Sequence, residues 1–285
     1  MTESTVTPAG GLAERLLDRY ATRIASASGP FLLGISGLQG SGKSTLAAAM
    51  IKLAPARGWP AVALSLDDFY LTHAERHALA RDVHPLLATR GVPGTHDIGL
   101  LQDTLDRLGT AAPWSPVAIP RFDKGQDDRA PHPTWPAITT SPRLIVLEGW
   151  CLGVPTESED ALVRPVNALE RNEDVDRRWR RWVNRQLAGY GPLWRRFDSL
   201  VALQAPDWEI VRRWRDEAER PLRARHAPQA MDPTALDRFL QHYERISRHA
   251  LVSLPSVADL CLVLDERRHA RFQRPTVQRD SSSAA

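Results

Sequence analysis

An apolar run, "FLLGIS" at 31–36, leads straight into "GLQGSGKST" and then into an alanine-rich helical stretch. Gly37 to Ser44 fit the pattern G-x-x-x-x-G-K-[ST] in a strand–loop–helix context, and this restricts the fold more than any other feature of the chain. Gly37, Gly40 and Gly42 let the backbone bend around phosphate groups. The N–H groups of Leu38, Gln39 and Ser41 can then turn inward, and a helix opening through Thr45 adds partial positive charge. Lys43 has the reach to meet β- and γ-phosphates, and the Ser44 hydroxyl is a candidate Mg²⁺ ligand. ATP and Mg²⁺ are the expected cofactors.

Four more apolar runs follow: "AVALSL" at 61–66, "RLIVLE" at 143–148, "DSLVAL" at 198–203 and "DLCLVL" at 259–264. Continuous apolar strands alternating with helical stretches predict a parallel sheet covered on both faces. The expected fold is α/β, a P-loop NTPase three-layer sandwich with about five parallel strands flanked by helices. Helices are expected over 11–28, 43–56, 97–109, 173–189, 207–225 and 233–252. In "EDVDRRWRRWVNRQL", Val175, Trp179, Trp182, Val183 and Gln186 or Leu187 recur at helical steps and read as a core-facing stripe. The organisation expected is a single P-loop domain over 1–273, with a substrate-facing excursion at 67–142 and a lid-like helix at 207–226. A disordered tail is expected at 274–285.

Cys151 and Cys261 each lie inside apolar runs, a pattern of reduced, buried thiols. There is no secretory signal and no run of about 20 apolar residues, so the expected location is the cytoplasm, with no membrane partner. Lys43, Lys52 and Lys124 are the only lysines among 37 cationic residues. Such a bias strips meaning from arginine runs and gives it to Lys43 and Lys124, where chemistry can call for a compact ammonium, while Lys52 reads as a solvated helix residue. Acidic residues interleave the arginines and the net charge is only +3, which argues against nucleic acid as a partner.

The remaining chemistry lies after the strands. "SLDDFYL" places Asp67 and Asp68 at the end of the second strand; Asp67 is the candidate base for an attacking hydroxyl, with Tyr70 beside it. Glu148 ends the third apolar run, and Ser44, Glu148 and Asp67 are the candidate metal ligands. Arg215 and Arg220, in "VRRWRDEAERPLRARH", are candidates to neutralise a transferring phosphoryl group. The loop "RGVPGTHD" offers Arg90, Thr95, His96 and Asp97, and "IPRFDK" adds Arg121, Asp123 and Lys124. Both charge signs on two loops suit a small, anionic, hydroxylated acceptor. No Asn-Lys-x-Asp motif for guanine is present, and no LSGGQ segment of a transport ATPase. A small-molecule kinase remains, with a nucleoside, pantothenate or sugar phosphate as alternative acceptor and a non-catalytic nucleotide-binding regulator as the reading from another class.

"GLQGSGKST", "SLDDFYL", "HPLLATRGVPGTHD", "IPRFDK" and "LEGWCLG" occur in an order that resembles the P-loop D-glycerate 3-kinases, within the uridine kinase, phosphoribulokinase and pantothenate kinase group. The resemblance extends through "WRRWVNRQL" and "MDPTALDRFLQHYERI". It implies a five-stranded parallel sheet, ATP with Mg²⁺, and a hydroxy acid acceptor such as D-glycerate. It also implies Asp67 as base, Glu148 at the metal, and a lid segment on Arg215, Asp216, Glu219 and Arg220. The chain departs from that family at Phe122, where tyrosine is common.

Overall fold

Every residue of strands β1 (Phe31–Gly37) and β7 (Leu144–Gly149) is buried, because both are covered on the two faces of a central sheet. The computed structural model describes residues 9–110, 114–225 and 230–273. Among these, β2 (Ala61–Ser65) pairs with the far side of β7, while β8 (Ser199–Gln204) and β9 (Leu260–Leu264) extend the sheet from the other side of β1. These five strands are parallel and lie within one or two residues of the sequence expectation. A sixth strand, β10 (Ala270–Gln273), adds antiparallel to β9, beyond the five parallel strands expected. Its sequence, "ARFQ", has no apolar run. Its position depends on pairing and on a tight turn in which Asp265 Oδ1 accepts from the backbone N–H groups of Arg267 and His269, each at 2.8 Å.

Helix α1 (Ala9–Ser26) packs on α2 (Lys43–Leu53), which lies across β1, β2 and β7. One contiguous core cluster runs from Leu12 in α1 to Ala270 in β10. The excursion is a folded unit. It contains α3 (His73–Asp82), α4 (Ile98–Gly109) and two small antiparallel ribbons. One ribbon pairs β3 (Val117–Ala118) with β6 (Ala137–Ile138), and the other pairs β4 (Phe122–Asp123) with β5 (Asp128–Arg129). Among the described residues, no helix is long and apolar enough to cross a membrane. Both cysteines are buried and unpaired. The expected disordered tail at 274–285 lies outside the described residues, as does the end of the lid-like segment.

The helix expected over 173–189 is two helices, α5 (Ala168–Glu173) and α6 (Arg178–Gly189). Between them the Asp174 carboxylate accepts from the backbone N–H of Trp179 at 2.7 Å and of Arg180 at 3.2 Å, which starts α6 afresh. Val175 falls in this break and is 76% exposed, whereas Trp179, Val183 and Leu187 keep the buried stripe. A short α7 (Gly191–Trp194) leads to β8. Downstream, α8 (Glu209–Ala224) and the long α9 (Pro233–Val257) complete the helical layer.

Asp174 and Arg180 are both almost wholly buried, and their ion pair is 2.8 Å long. An Asp174→Ala variant leaves that guanidinium without its counter-charge and two helix N–H groups without acceptors. The expected loss is about 3–5 kcal/mol, read from the urea unfolding curve.

Candidate active site

The cradle forms where β1 gives way to α2. Gly40 and Gly42 take left-handed conformations (φ +79° and +93°), and a Cβ on Gly40 would stand 2.6 Å from the Cβ of Trp214. No side chain caps the start of α2, so its first N–H groups face the loop unclaimed. The Gln39 amide and the Ser41 hydroxyl are buried with no hydrogen-bond partner. Orphan donors at an uncapped helix start, here Gln39 Nε2 and the Ser41 hydroxyl, are what an anionic ligand of several oxygens satisfies. Lys43 donates to the Leu38 carbonyl at 3.1 Å, and burial lowers its pKa. The Leu38 side chain is itself in the core, and Thr45 stands exposed on the first turn of α2. Two contacts brace the loop from behind: Trp214 of α8 packs on Gly40, and Arg268, from the β9–β10 turn, donates to the Gly40 carbonyl at 2.7 Å.

Parallel register brings the carboxylates to the cradle. Glu148 is paired with Ile35 of β1 on one side and with Ser65 of β2 on the other. The Ser44 hydroxyl donates to Glu148 Oε1 at 2.9 Å. Beyond Ser65 the chain turns through a short 3₁₀ segment that carries Asp67. Tyr70 donates to Asp67 Oδ1 and Lys124 to Asp67 Oδ2, each at 2.7 Å. Burial raises the Asp67 carboxyl, but the Lys124 ammonium and the Tyr70 hydroxyl more than offset this, leaving it well below the usual carboxylate range. Asp67 is thus ionised and bound to Lys124, while the contact to Ser44 comes from Glu148.

These groups share one cavity of about 240 Å³, lined also by Arg90, Trp150 and Arg215 and by Met231, Phe239 and Tyr243. Arg90 and Lys124 reach it from the excursion. Arg215 reaches it from α8, paired with the buried Glu219 at 2.6 Å.

Several expected contacts lie away from the cavity. Thr95 is fully buried; its hydroxyl accepts from Gly91 N–H at 2.9 Å and donates to the Val92 carbonyl at 2.7 Å, which shapes the loop. His96 Nδ1 and the Tyr190 hydroxyl are 2.8 Å apart. Asp97 caps α4 through Leu100 N–H at 2.9 Å and pairs with Arg129 at 2.9 Å. Arg121 pairs with Asp68 at 3.1 Å, and Asp123 Oδ1 accepts from Gly125 N–H at 2.8 Å. Arg220 points outward from α8, is 67% exposed, and pairs with Asp216 at 3.0 Å. Apart from His96 Nε2, which is buried without a hydrogen-bond partner, these side chains find their partners in the scaffold, which is why their residue types did not distinguish a scaffold role from a contact.

Sequence reasoning passed over Trp150 and Tyr243, which hold "RGVPG" in place. Trp150 Nε1 donates to the Gly91 carbonyl and the Tyr243 hydroxyl to the Arg90 carbonyl, each at 3.0 Å. Phe239 and Tyr243 stand one helical turn apart in α9, and that i, i+4 aromatic pair was the only available signal.

The chain is 38% identical over 261 residues to the uncharacterized kinase mug58 of Schizosaccharomyces pombe, covering 84% of this chain and 90% of that protein. It is 32% identical over 256 residues to the chloroplastic D-glycerate 3-kinase of Arabidopsis thaliana, covering 84% of this chain and 54% of that longer protein. The chain belongs to the P-loop kinase family that includes D-glycerate 3-kinase. The solved structure of the YGR205w protein superposes on this P-loop kinase with a TM-score of 0.75 at 26% identity, covering 95% of this chain and 100% of that one. No family model matches the sequence.

Gly91 adopts φ +128°, and a Cβ there would meet the Tyr243 hydroxyl at 1.8 Å. Gly91→Ala is expected to lower stability by about 1–3 kcal/mol through displacement of Tyr243, measured by chemical denaturation. Burial pushes the pKa of both His96 and His242 down from 6.5 to about 4. Unfolding lets each take up a proton between those values, so their contribution to stability is complete above pH 6.5 and lost as pH falls toward 4. Each costs up to about 1.4 kcal/mol per pH unit in that window. His242→Gln is expected to flatten the decline, seen in urea midpoints at pH 7 and pH 5.

Proposed function

We propose that this kinase transfers the γ-phosphoryl group of Mg-ATP to a hydroxyl of a small hydroxy acid, with D-glycerate, giving 3-phosphoglycerate, as the first candidate. The observation that carries the reading is the convergence in one cavity of Lys43, Ser44 and Glu148 at the cradle with Asp67, Arg90 and Lys124 opposite. The acceptor follows the plant relative's name and the charge of the wall it would meet. The polar atoms of Trp150 and Tyr243 are spent on the Arg90–Gly91 backbone, so the charge offered to the acceptor comes from Arg90 and Lys124.

In this mechanism the cradle N–H groups and Lys43 hold the β- and γ-phosphates, and Arg215 faces the group in transfer. Ser44 and Glu148 would hold Mg²⁺: their oxygens already meet at 2.9 Å, and hydroxyl and carboxylate are the hard donors this ion takes. When bound, the ion neutralises charge on the β- and γ-oxygens. Asp67 orients the acceptor hydroxyl and takes its proton as the oxygen–phosphorus bond forms and the bond to ADP breaks. Tyr70 fixes the carboxylate by holding Oδ1. Arg90, which lines the cavity, anchors the acceptor carboxylate beside Lys124; Arg121, outside that lining, is poorly placed for the role.

ADP release with Mg-ATP, measured across D-glycerate, L-glycerate, uridine, pantothenate and ribulose 5-phosphate, tests the proposal. Turnover is expected with D-glycerate and is expected to fall by about 10²–10⁴ in Asp67→Asn. Turnover confined to another acceptor would keep the kinase and discard glycerate. An Asp67→Asn variant as active as the parent would remove Asp67 from the chemistry.

A further inference from the structure

We propose that Lys124 is an acceptor-operated latch on the base: it occupies Asp67 until an anionic acceptor draws it away, and so couples phosphoryl transfer to the arrival of a carboxylate. The inference rests on the reading of the cavity as a kinase site with Asp67 as base. It goes beyond that reading by assigning Lys124 the discrimination between a hydroxy acid and an uncharged hydroxyl compound or water.

Three observations carry it. First, both carboxylate oxygens of Asp67 are engaged, Oδ1 by Tyr70 and Oδ2 by Lys124, each at 2.7 Å. An incoming hydroxyl must compete with an ammonium for the atom that is to take its proton. Second, the other cations of the cavity have partners elsewhere. Arg90 bonds Asp127, Arg215 bonds Glu219, and Lys43 donates to the Leu38 carbonyl. Lys124 is bonded to the proposed base itself. Third, the ribbon that carries Lys124 is anchored while the side chain is free to swing. Asp127 pairs at 2.6 Å with Arg76, which is fully buried, and Arg129 pairs with Asp97 at 2.9 Å. Phe122 N–H donates to Asp68 at 3.2 Å. The Lys124 side chain, by contrast, is 57% exposed on a flexible four-carbon stem.

With its ammonium this open to water the pair is exchangeable, and a second carboxylate can take the ammonium over. A short hydroxy acid suits the exchange, because its carboxylate reaches Lys124 while its hydroxyl enters the place vacated beside Asp67. Water and neutral alcohols bring no counter-charge, so the latch stays closed against them. The reaction it suppresses is hydrolysis, in which a water oxygen bonds to the γ-phosphorus, the bond to ADP breaks and Asp67 takes the proton. Rejecting such side reactions is a recurring requirement of phosphoryl transfer enzymes.

The test compares the full chain with Lys124→Met, Lys124→Gln and Lys124→Arg. It measures Mg-ATP hydrolysis without acceptor, and kcat and KM for D-glycerate and for glycerol, which lacks the carboxylate. In the Met and Gln variants, acceptor-free hydrolysis is expected to rise about fivefold or more and the KM for D-glycerate to rise about tenfold. Their kcat/KM for glycerol is expected to hold or rise, so preference for the anion narrows about tenfold. Lys124→Arg keeps a cation and is expected to keep acceptor-free hydrolysis low. Unchanged acceptor-free hydrolysis in the Met and Gln variants, or an unchanged KM for D-glycerate, overturns the latch while leaving the kinase reading intact. Full activity in Asp67→Asn removes Asp67 as the base and overturns the latch while the kinase stands; no turnover with any acceptor by the parent overturns the proposed reaction and the latch with it.

Discussion

Glu148 is held in register between Ile35 of β1 and Ser65 of β2, and the geometry of the cavity depends on that pairing. Successive parallel strands end at one edge of the sheet, so the cradle after β1, the carboxylate ending β7 and the aspartate after β2 are delivered side by side. A shift of one residue in β7 would turn Glu148 to the opposite face and part it from Ser44, because strand side chains alternate. The two central strands are buried throughout, which makes such a slip costly. Core packing and site geometry are therefore the same constraint.

The excursion shows how a segment rich in proline and glycine becomes a fixed wall. Its loops are held by charge pairs and by backbone contacts from distant elements. Arg76 is fully buried and ties Asp127 to the Leu71 and Ala88 carbonyls, while Tyr243 and Trp150 secure the backbone at Arg90 and Gly91. Phe122 sits edge-on to Tyr70, with ring centroids 5.2 Å apart, and has the guanidinium carbons of Arg76 and Arg90 at 5.5 and 5.6 Å from its ring centroid. A phenyl ring meets that packing without a hydroxyl, which gives a physical reading of the departure from tyrosine at this position.

The cradle is braced from two directions. Trp214 packs its Cβ against Gly40 and is fully buried in α8, and Arg268 of the β9–β10 turn holds the Gly40 carbonyl while its guanidinium stacks over the Trp214 ring. The first half of α8 is consequently part of the nucleotide platform. Arg215, the next residue, is the first of that helix to line the cavity.

The five apolar strands, the glycine-lysine cradle, and the positions of Asp67 and Glu148 at strand ends were legible in the chain. They are local signals: burial on both faces demands continuous apolar runs, and a phosphate cradle demands glycine, lysine and serine at set spacings. The break at Asp174 was hidden, because Val175 continues a helical apolar stripe while a carboxylate pairing with Arg180 restarts the helix. β10 was hidden because antiparallel pairing with β9, not its own composition, makes it a strand. In "RGVPGTHD" the sequence determined the residue types alone. Tertiary structure decided that Arg90 enters the cavity while Thr95, His96 and Asp97 brace the loop from behind. The reason is that a side chain's role depends on what stands opposite it, and here the opposing groups, Tyr190, Arg129 and Tyr243, come from segments 32 to 153 residues away.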